Sequence, residues 1–248
     1  KVEQIRELQH SLSLSPYEAR YRVALLLNFQ DAREHAQNAL LKTLEEAPVK
    51  VILLLTADSA ENLLPTIVSR CEVLRLRPLP VQNLAEILQK KFEIAADNAV
   101  ELSHLSGGRL GLAYRYSQEI EVLEQIHIWL QDAFELLSVG RVERFSYADQ
   151  HADTRKKGIS REVIGQMLQT WLGLWRDIFI SSAGSQMPLT YTSFQSQTHS
   201  VAQQMDVQAA RWQINRLEEA LNQLNANLNQ RLLIENLLLE WPLLAQTL

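Results

Sequence analysis

The sequence contains very few of the residues that build disulfide frameworks and metal sites. Cys71 is the single cysteine, and the six histidines are scattered along the chain. A disulfide framework is therefore excluded, and no cysteine and histidine spacing typical of zinc is present. No apolar run reaches the ~20 residues that cross a bilayer, and residues 1–13 alternate charge and leucine, unlike a secretory leader. These absences predict a cytoplasmic protein with neither a membrane span nor a metal site.

A concentrated basic face is also missing. The chain of 248 residues has 24 Lys and Arg against 29 Asp and Glu, a net charge of −5. Tight DNA binding by this chain alone is disfavoured, because phosphate neutralisation needs clustered positive charge. Weak contact with DNA, or contact only within an assembly, stays open. The length allows two or three domains, and 46% hydrophobic residues are ordinary for a globular protein.

The first third of the chain alternates helix and strand patterns. Apolar residues at helical spacing predict a helix over residues 1–14 and another over 32–46. Continuous apolar runs predict strands at 22–27 and 51–55, each covered on both faces as in a parallel sheet. Alternating leucine and arginine predict a third strand at 72–77. The pattern indicates an α/β layer with right-handed crossovers.

Helical patterns alone follow. Prolines at 78–80 mark a linker, after which three helices are predicted, at 84–91, 96–105 and 110–116. From residue 119 onward no strand pattern occurs, and breaks between helices are expected near 140, 158, 184–188 and 225–229. We therefore predict three domains: 1–77, 78–118 and 119–248.

Two segments have a specific pattern. Residues 38–46 read Asn-Ala-Leu-Leu-Lys-Thr-Leu-Glu-Glu, the end of an amphipathic helix. Residues 65–71 read Pro-Thr-Ile-Val-Ser-Arg-Cys, a short helix that begins at proline and leaves Arg70 at its end. Together they resemble the clamp-loader branch of the AAA+ ATPases, the gamma/tau and delta-prime subunits of bacterial DNA polymerase III. Relatives usually continue the first segment with Pro-Pro, where this chain has Ala47 and Pro48.

The resemblance implies a fold for each predicted domain. Residues 1–77 would be the C-terminal portion of an AAA+ α/β domain, 78–118 its three-helix lid, and 119–248 a helical collar that assembles five subunits into a ring. The Leu- and Asn-rich tail at 221–239 resembles the end of such a collar, although a simple amphipathic bundle also explains its leucines. No phosphate-binding G-x-x-x-x-G-K-[ST] loop occurs. In the family, the strand before that loop separates the counterparts of 51–55 and 72–77, so we expect a further N-terminal segment in the natural protein.

The resemblance also indicates that the site for ATP hydrolysis is lost. The two acidic positions of Walker B, which hold Mg²⁺ and polarise the attacking water, fall on Leu27 and Asn28. Leucine cannot ligate a hard cation, and an amide is no base at neutral pH. Asp31 is near but follows the strand, where we expect it to cap a helix.

The sensor positions are less distinctive. Thr56 matches sensor 1, although a threonine at a strand end is common. In the segment that resembles sensor 2, the family's arginine position falls on Gly111, while Arg109 lies two residues earlier. Arg109 could reach a phosphate, and an exposed arginine at a helix start is the simpler interpretation.

Ser69, Arg70 and Cys71 match the family's Ser-Arg-Cys motif. In relatives this arginine enters the ATP site of the neighbouring subunit as an arginine finger. The simpler interpretation of Arg70 is a surface arginine that binds carbonyls at a helix end. Cys71 is expected to be a small buried residue rather than a reactive thiol.

The combination of a lost hydrolysis site and a retained arginine finger resembles delta-prime subunits rather than gamma/tau subunits. This implies a non-hydrolysing subunit of a larger DNA-polymerising enzyme. It would bind no cofactor of its own and act on the ATP and Mg²⁺ of a neighbour. The implied partners are gamma/tau and delta subunits, with the sliding clamp and primed DNA reached through the complex. The alternatives are an active gamma/tau ATPase and a helical scaffold that keeps a relic AAA+ core.

Overall fold

The computed structural model describes residues 2–14, 19–152, 160–226 and 229–244, and divides the chain into two compact units, 1–77 and 78–248. In the first unit the helices are α1 (Val2–Ser13), α2 (Glu34–Glu45) and α3 (Pro65–Val68), and the strands are β1 (Arg22–Leu26) and β2 (Val51–Leu55). Short 3-10 helices lie at Phe29–Asp31 and Ala60–Asn62.

The two strands pair in parallel, with Arg22 opposite Val51 and Leu26 opposite Leu55. One face of this sheet packs on a core formed by Ile5, Phe29, Ala36, Leu40 and Ile67. The predicted connection of parallel strands through α2 is confirmed.

The expectation that both faces of the strands are covered was wrong. Val23 and Leu25 are 57% and 58% exposed, and their partners Ile52 and Leu54 are 40% and 46% exposed. Alternate side chains of a strand point to opposite faces, and the described elements that pack on the sheet do so on one face only.

The prediction of a third strand at residues 72–77 was also wrong. This segment has no strand structure in the described part of the chain, and Leu74 and Leu76 are 75% and 96% exposed. Its alternating residues favour extended backbone, but a strand exists only where a neighbouring strand supplies hydrogen bonds. The described sheet therefore has two strands.

The regular secondary structure of the second unit is helical in its described residues. Its first three helices are α4 (Val81–Phe92), α5 (Ala96–Leu105) and α6 (Leu110–Gln118), and they share a core of buried side chains: Leu84, Leu88, Ala99, Leu102 and Ala113. Gly108, in the turn between α5 and α6, has φ +82°, and a Cβ there would lie 2.2 Å from the carbonyl oxygen of Leu79. Only glycine fits this close approach, which fixes the start of α6.

The remaining helices are α7 (Ile120–Ser138), α8 (Arg141–Ala152), α9 (Arg161–Ser182), α10 (Gln195–Gln203), α11 (Val207–Asn225) and α12 (Gln230–Leu239), with a 3-10 turn at Thr192–Phe194. They surround a large core that includes Trp171, Trp175 and Trp241. The predicted breaks near 140, 184–188 and 225–229 coincide with helix ends, and the one near 158 lies outside the described residues. None of the described helices combines the length and apolar composition that crossing a membrane requires.

Candidate functional site

The arginine-finger candidate follows the short helix α3. Ile67 has no exposed surface and anchors α3 in the core of the first unit. The backbone N–H of Leu64 donates to Oε1 of Gln37 in α2 at 3.1 Å, which holds the start of α3. The N–H of Arg70 donates to the carbonyl of Ile67 at 3.0 Å, so Arg70 continues the last turn at the surface.

The guanidinium of Arg70 has three partners in this unit. Its Nε and Nη2 lie 2.7 and 2.5 Å from Oε1 of Glu45, the last residue of α2. Its Nη1 donates to the carbonyl of Thr66 at 2.9 Å and to Oγ of Ser69 at 3.2 Å. The side chains of Arg70 and Glu45 are 34% and 48% exposed. Arg70 thus binds a helix-end carbonyl, as the simpler interpretation expects, and keeps part of its side chain accessible to solvent.

The residues on either side of Arg70 contact the helix α3 and the core of the first unit. The hydroxyl of Ser69 donates to the carbonyl of Thr66 at 3.2 Å. Cys71 is half-buried and packs against the core of the first unit. Burial raises the pKa of the Cys71 thiol above its ordinary value, which keeps the thiol protonated and unreactive at neutral pH.

The residues at the ends of the two strands lie together. The N–H of Asn28 donates to Oγ1 of Thr56 at 2.9 Å, and the N–H of Thr56 donates to the carbonyl of Leu26 at 3.0 Å. Asn28 has φ 49°, a left-handed conformation that asparagine tolerates well. Leu27 is 67% exposed at this edge. This edge therefore carries an aliphatic and an amide side chain, and neither supplies the carboxylate oxygens that a hard cation such as Mg²⁺ prefers.

The expectation that Asp31 caps a helix was wrong. Asp31 ends the 3-10 helix Phe29–Asp31, and Arg33 occupies the N-cap position of α2 without a side-chain cap. The tight turn at residues 28–31 delays the start of α2, which separates Asp31 from the free N–H groups of that helix. Within the described ranges, no group of three or more His, Cys, Asp or Glu side chains could hold a metal ion.

The sensor-2-like residues lie in the second unit. Arg109 is the N-cap residue of α6, and its Nε donates to the carbonyl of Ser106 at 2.8 Å. Arg109 and Arg176 both line a cavity of about 560 Å³. Gly111 is exposed in the first turn of α6, and a Cβ there would meet no atom within 4 Å.

Sequence reasoning missed two residues that hold the finger candidate. Glu45 enters the sequence analysis only as part of the amphipathic segment 38–46, and Gln37 is not singled out there. Gln37 is 6% exposed, and its Nε2 donates to the carbonyl of Ala32 at 2.9 Å while its Oε1 accepts from Leu64. A glutamine on the apolar side of a helix is the signal that could have identified Gln37.

Comparison with known proteins finds that the chain is similar to subunits of DNA polymerase III. The family model described as "DNA polymerase III, delta subunit" matches residues 1–80. The delta-prime subunit of Bacillus subtilis is 26% identical over 240 residues, which cover 96% of this chain and 71% of that subunit. These matches support a DNA polymerase III clamp-loader subunit of the delta-prime type.

Shorter alignments reach other clamp-loader subunits. The delta-prime subunit of Haemophilus influenzae is 34% identical over 119 residues, 48% of this chain and 36% of that subunit. The gamma subunit of Buchnera aphidicola from Schizaphis graminum is 28% identical over 144 residues, 56% of this chain. The chain spans 25% and 40% of the length of the two Buchnera gamma subunits that it matches.

A solved structure shares the fold of this chain. A gamma subunit-related protein from Thermotoga maritima superposes with a TM-score of 0.51 at 20% identity, covering 96% of this chain and 77% of that one. The predicted fold class, a small α/β part with a parallel sheet followed by a helical part, is confirmed.

Proposed function

We propose that this clamp-loader chain is a non-hydrolysing subunit and that Arg70 acts as an arginine finger on the ATP of a neighbouring subunit. The observation that carries the proposal is the contrast between two surfaces of the first unit. The strand ends offer Leu27 and Asn28 where hydrolysis requires acids, whereas Arg70 keeps a partly exposed side chain at the end of α3.

The chemistry of a finger suits this residue. Charge develops on the transferred γ-phosphoryl group, and a permanently charged planar guanidinium stabilises it. Because Ile67 anchors α3 in the core, the Arg70 backbone is fixed without help from a partner subunit. A fixed backbone reduces the entropy lost when the side chain engages the phosphate.

The helical part of the second unit, residues 119–248, would serve as the collar that assembles the ring. Partners would be gamma/tau and delta subunits, with the sliding clamp and primed DNA met through the complex in the cytoplasm. The chain would hold no nucleotide or metal for hydrolysis and would use the ATP and Mg²⁺ of its neighbour.

The test is ATP hydrolysis by a reconstituted clamp loader that contains the full-length protein. The other ATP-binding subunits carry inactivating substitutions in their phosphate-binding loops, so that only the site adjacent to Arg70 turns over. We expect Arg70→Ala to lower hydrolysis at that site by ~10³-fold or more, the scale of a lost arginine finger. Arg75→Ala, the loss of another exposed arginine, is the matched control and should have little effect.

Other results would favour the alternatives. Unchanged hydrolysis in an intact Arg70→Ala complex would indicate a helical scaffold with a relic core. Hydrolysis by the isolated full-length protein would indicate an active ATPase of the gamma/tau kind.

A further inference from the structure

The contact between Arg70 and Glu45 occupies the edge of the guanidinium that recognises oxyanions. Both Nε and Nη2 point to one carboxylate oxygen of Glu45, at 2.7 and 2.5 Å. These two nitrogens form the side of an arginine that binds carboxylate and phosphate with two parallel hydrogen bonds. An ATP phosphate approaching this edge therefore meets a negative carboxylate already in place.

The other side of the guanidinium offers no free alternative. Nη1 is engaged by the carbonyl of Thr66 and the hydroxyl of Ser69, at 2.9 and 3.2 Å. Arginine has five N–H donors in a fixed planar array, and these contacts with Glu45, Thr66 and Ser69 use four of them. To bind a phosphate with two hydrogen bonds, Arg70 has to release at least one present partner.

Glu45 is the partner that can leave most easily. Its side chain is 48% exposed, so its released carboxylate is hydrated by solvent. The carbonyl of Thr66 belongs to α3 and cannot move away without disturbing that helix. A triphosphate also carries more negative charge than a carboxylate and competes well for the same donors.

We propose that Glu45 holds Arg70 in a parked position and competes with the neighbouring subunit's ATP for its guanidinium. Glu45 is a positioning residue: it acts through Arg70 and sets how tightly the neighbouring site binds ATP. The inference rests on the proposed function, because it assigns regulation to the same finger.

Neutralising Glu45 should therefore tighten ATP binding without changing the chemical step. In the transition state Glu45 is already displaced, so its loss alters binding rather than turnover. An ion pair of this exposure is worth a factor of about two to five in an equilibrium constant. We expect Glu45→Gln to lower the Kd for a non-hydrolysable ATP analogue at the adjacent site by that factor and to leave kcat unchanged.

The chain supplies a matched control. Glu46, the next residue, is exposed and makes no ion pair with Arg70. Glu46→Gln removes the same charge at nearly the same place and should leave the Kd unchanged. In an Arg70→Ala background, Glu45→Gln should also have no effect on the Kd, because Glu45 is proposed to act only through Arg70.

The measurements separate the two proposals. The reconstituted complex described above is used, with analogue binding and single-site hydrolysis measured for each variant. If Arg70→Ala leaves hydrolysis unchanged, the proposal that Arg70 is an arginine finger is wrong. If Arg70→Ala abolishes hydrolysis but Glu45→Gln and Glu46→Gln give the same Kd for the ATP analogue, only the proposed competition between Glu45 and ATP is wrong. A lower kcat with Glu45→Gln would also overturn the competition, since Glu45 would then support the finger during catalysis.

Discussion

Arg144 provides the sharpest test of how the helical unit is held together. It is 4% exposed in α8, and its guanidinium donates four hydrogen bonds to backbone carbonyls. Nε reaches Leu136 near the end of α7 at 2.8 Å, and Nη1 reaches Leu238 near the end of α12 at 3.0 Å. Nη1 and Nη2 reach Trp241 and Pro242 at 2.7 and 2.8 Å. One side chain thus satisfies the carbonyl ends of two helices.

The expected cost of Arg144→Met follows from these contacts. Hydrogen bonds to a charged group contribute about 1.5–3 kcal/mol each, and burying the guanidinium offsets much of their sum. That burial also lowers the pKa of Arg144, although arginine remains protonated in proteins. Methionine fills the space but leaves the carbonyls without donors. We expect a loss of about 3–5 kcal/mol in the free energy of unfolding, because each buried carbonyl left without a donor costs about 1–3 kcal/mol and the removed desolvation of the guanidinium offsets part of their sum.

Calorimetric unfolding of the variant measures this cost. A loss of this size should lower Tm by about 6 to 20 °C in a unit of this length. Arg141→Met removes the same charge from an exposed position in the same helix, and it should change the free energy by no more than about 0.5 kcal/mol. A loss below about 1 kcal/mol for Arg144→Met would mean that desolvation cancels the hydrogen bonds, and would refute the assigned role.

Two smaller perturbations probe α9. A Cβ on Gly173 would lie 2.7 Å from the hydroxyl of Tyr191, so Gly173→Ala should destabilise the fold by about 1–2 kcal/mol. A Cβ on Gly165 would make only ordinary contacts, so Gly165→Ala should stabilise the fold by up to about 1 kcal/mol. Chemical denaturation of both variants measures the difference. Burial raises the pKa of Asp177 above its ordinary value, against the opposing effect of backbone N–H donors and a neighbouring guanidinium. A carboxyl that binds its proton more tightly when folded stabilises the fold at low pH, so this contribution should fall as pH rises from about 4 and vanish in Asp177→Asn. Denaturation curves measured across that range would contradict this if both proteins had the same pH dependence.

The sequence predicted the bounds of helices and strands correctly where neighbouring residues in the chain determine them. β2 matches its predicted bounds, Val51–Leu55, because an apolar run is bounded by polar and turn-forming residues. α3 begins at Pro65, where proline favours the first helical position. The strand at 72–77 was wrong because alternation reports a preference for extended backbone and carries no information about a hydrogen-bonding neighbour.

The candidate site likewise contains one arrangement that the sequence could predict and one that it could not. The residues Leu27, Asn28 and Thr56 could be placed together because parallel strands end at one edge of a sheet. The pairing of Arg70 with Glu45 could not, because these residues are 25 positions apart and meet only through the packing of α3 on α2. One sequence contains no signal for such a contact between surface side chains.

The tryptophans make the two units optically distinct. All five, at positions 129, 171, 175, 212 and 241, belong to the second unit, and residues 1–77 contain none. Trp241 lies edge-on to both Trp171 and Trp175, with ring centroids 4.9 and 5.7 Å apart. Indole fluorescence therefore reports loss of the core of the second unit alone, while far-UV circular dichroism reports helices of both units. Coincident curves from the two signals would mean that the units unfold as one cooperative system, and separated curves would give each unit its own stability.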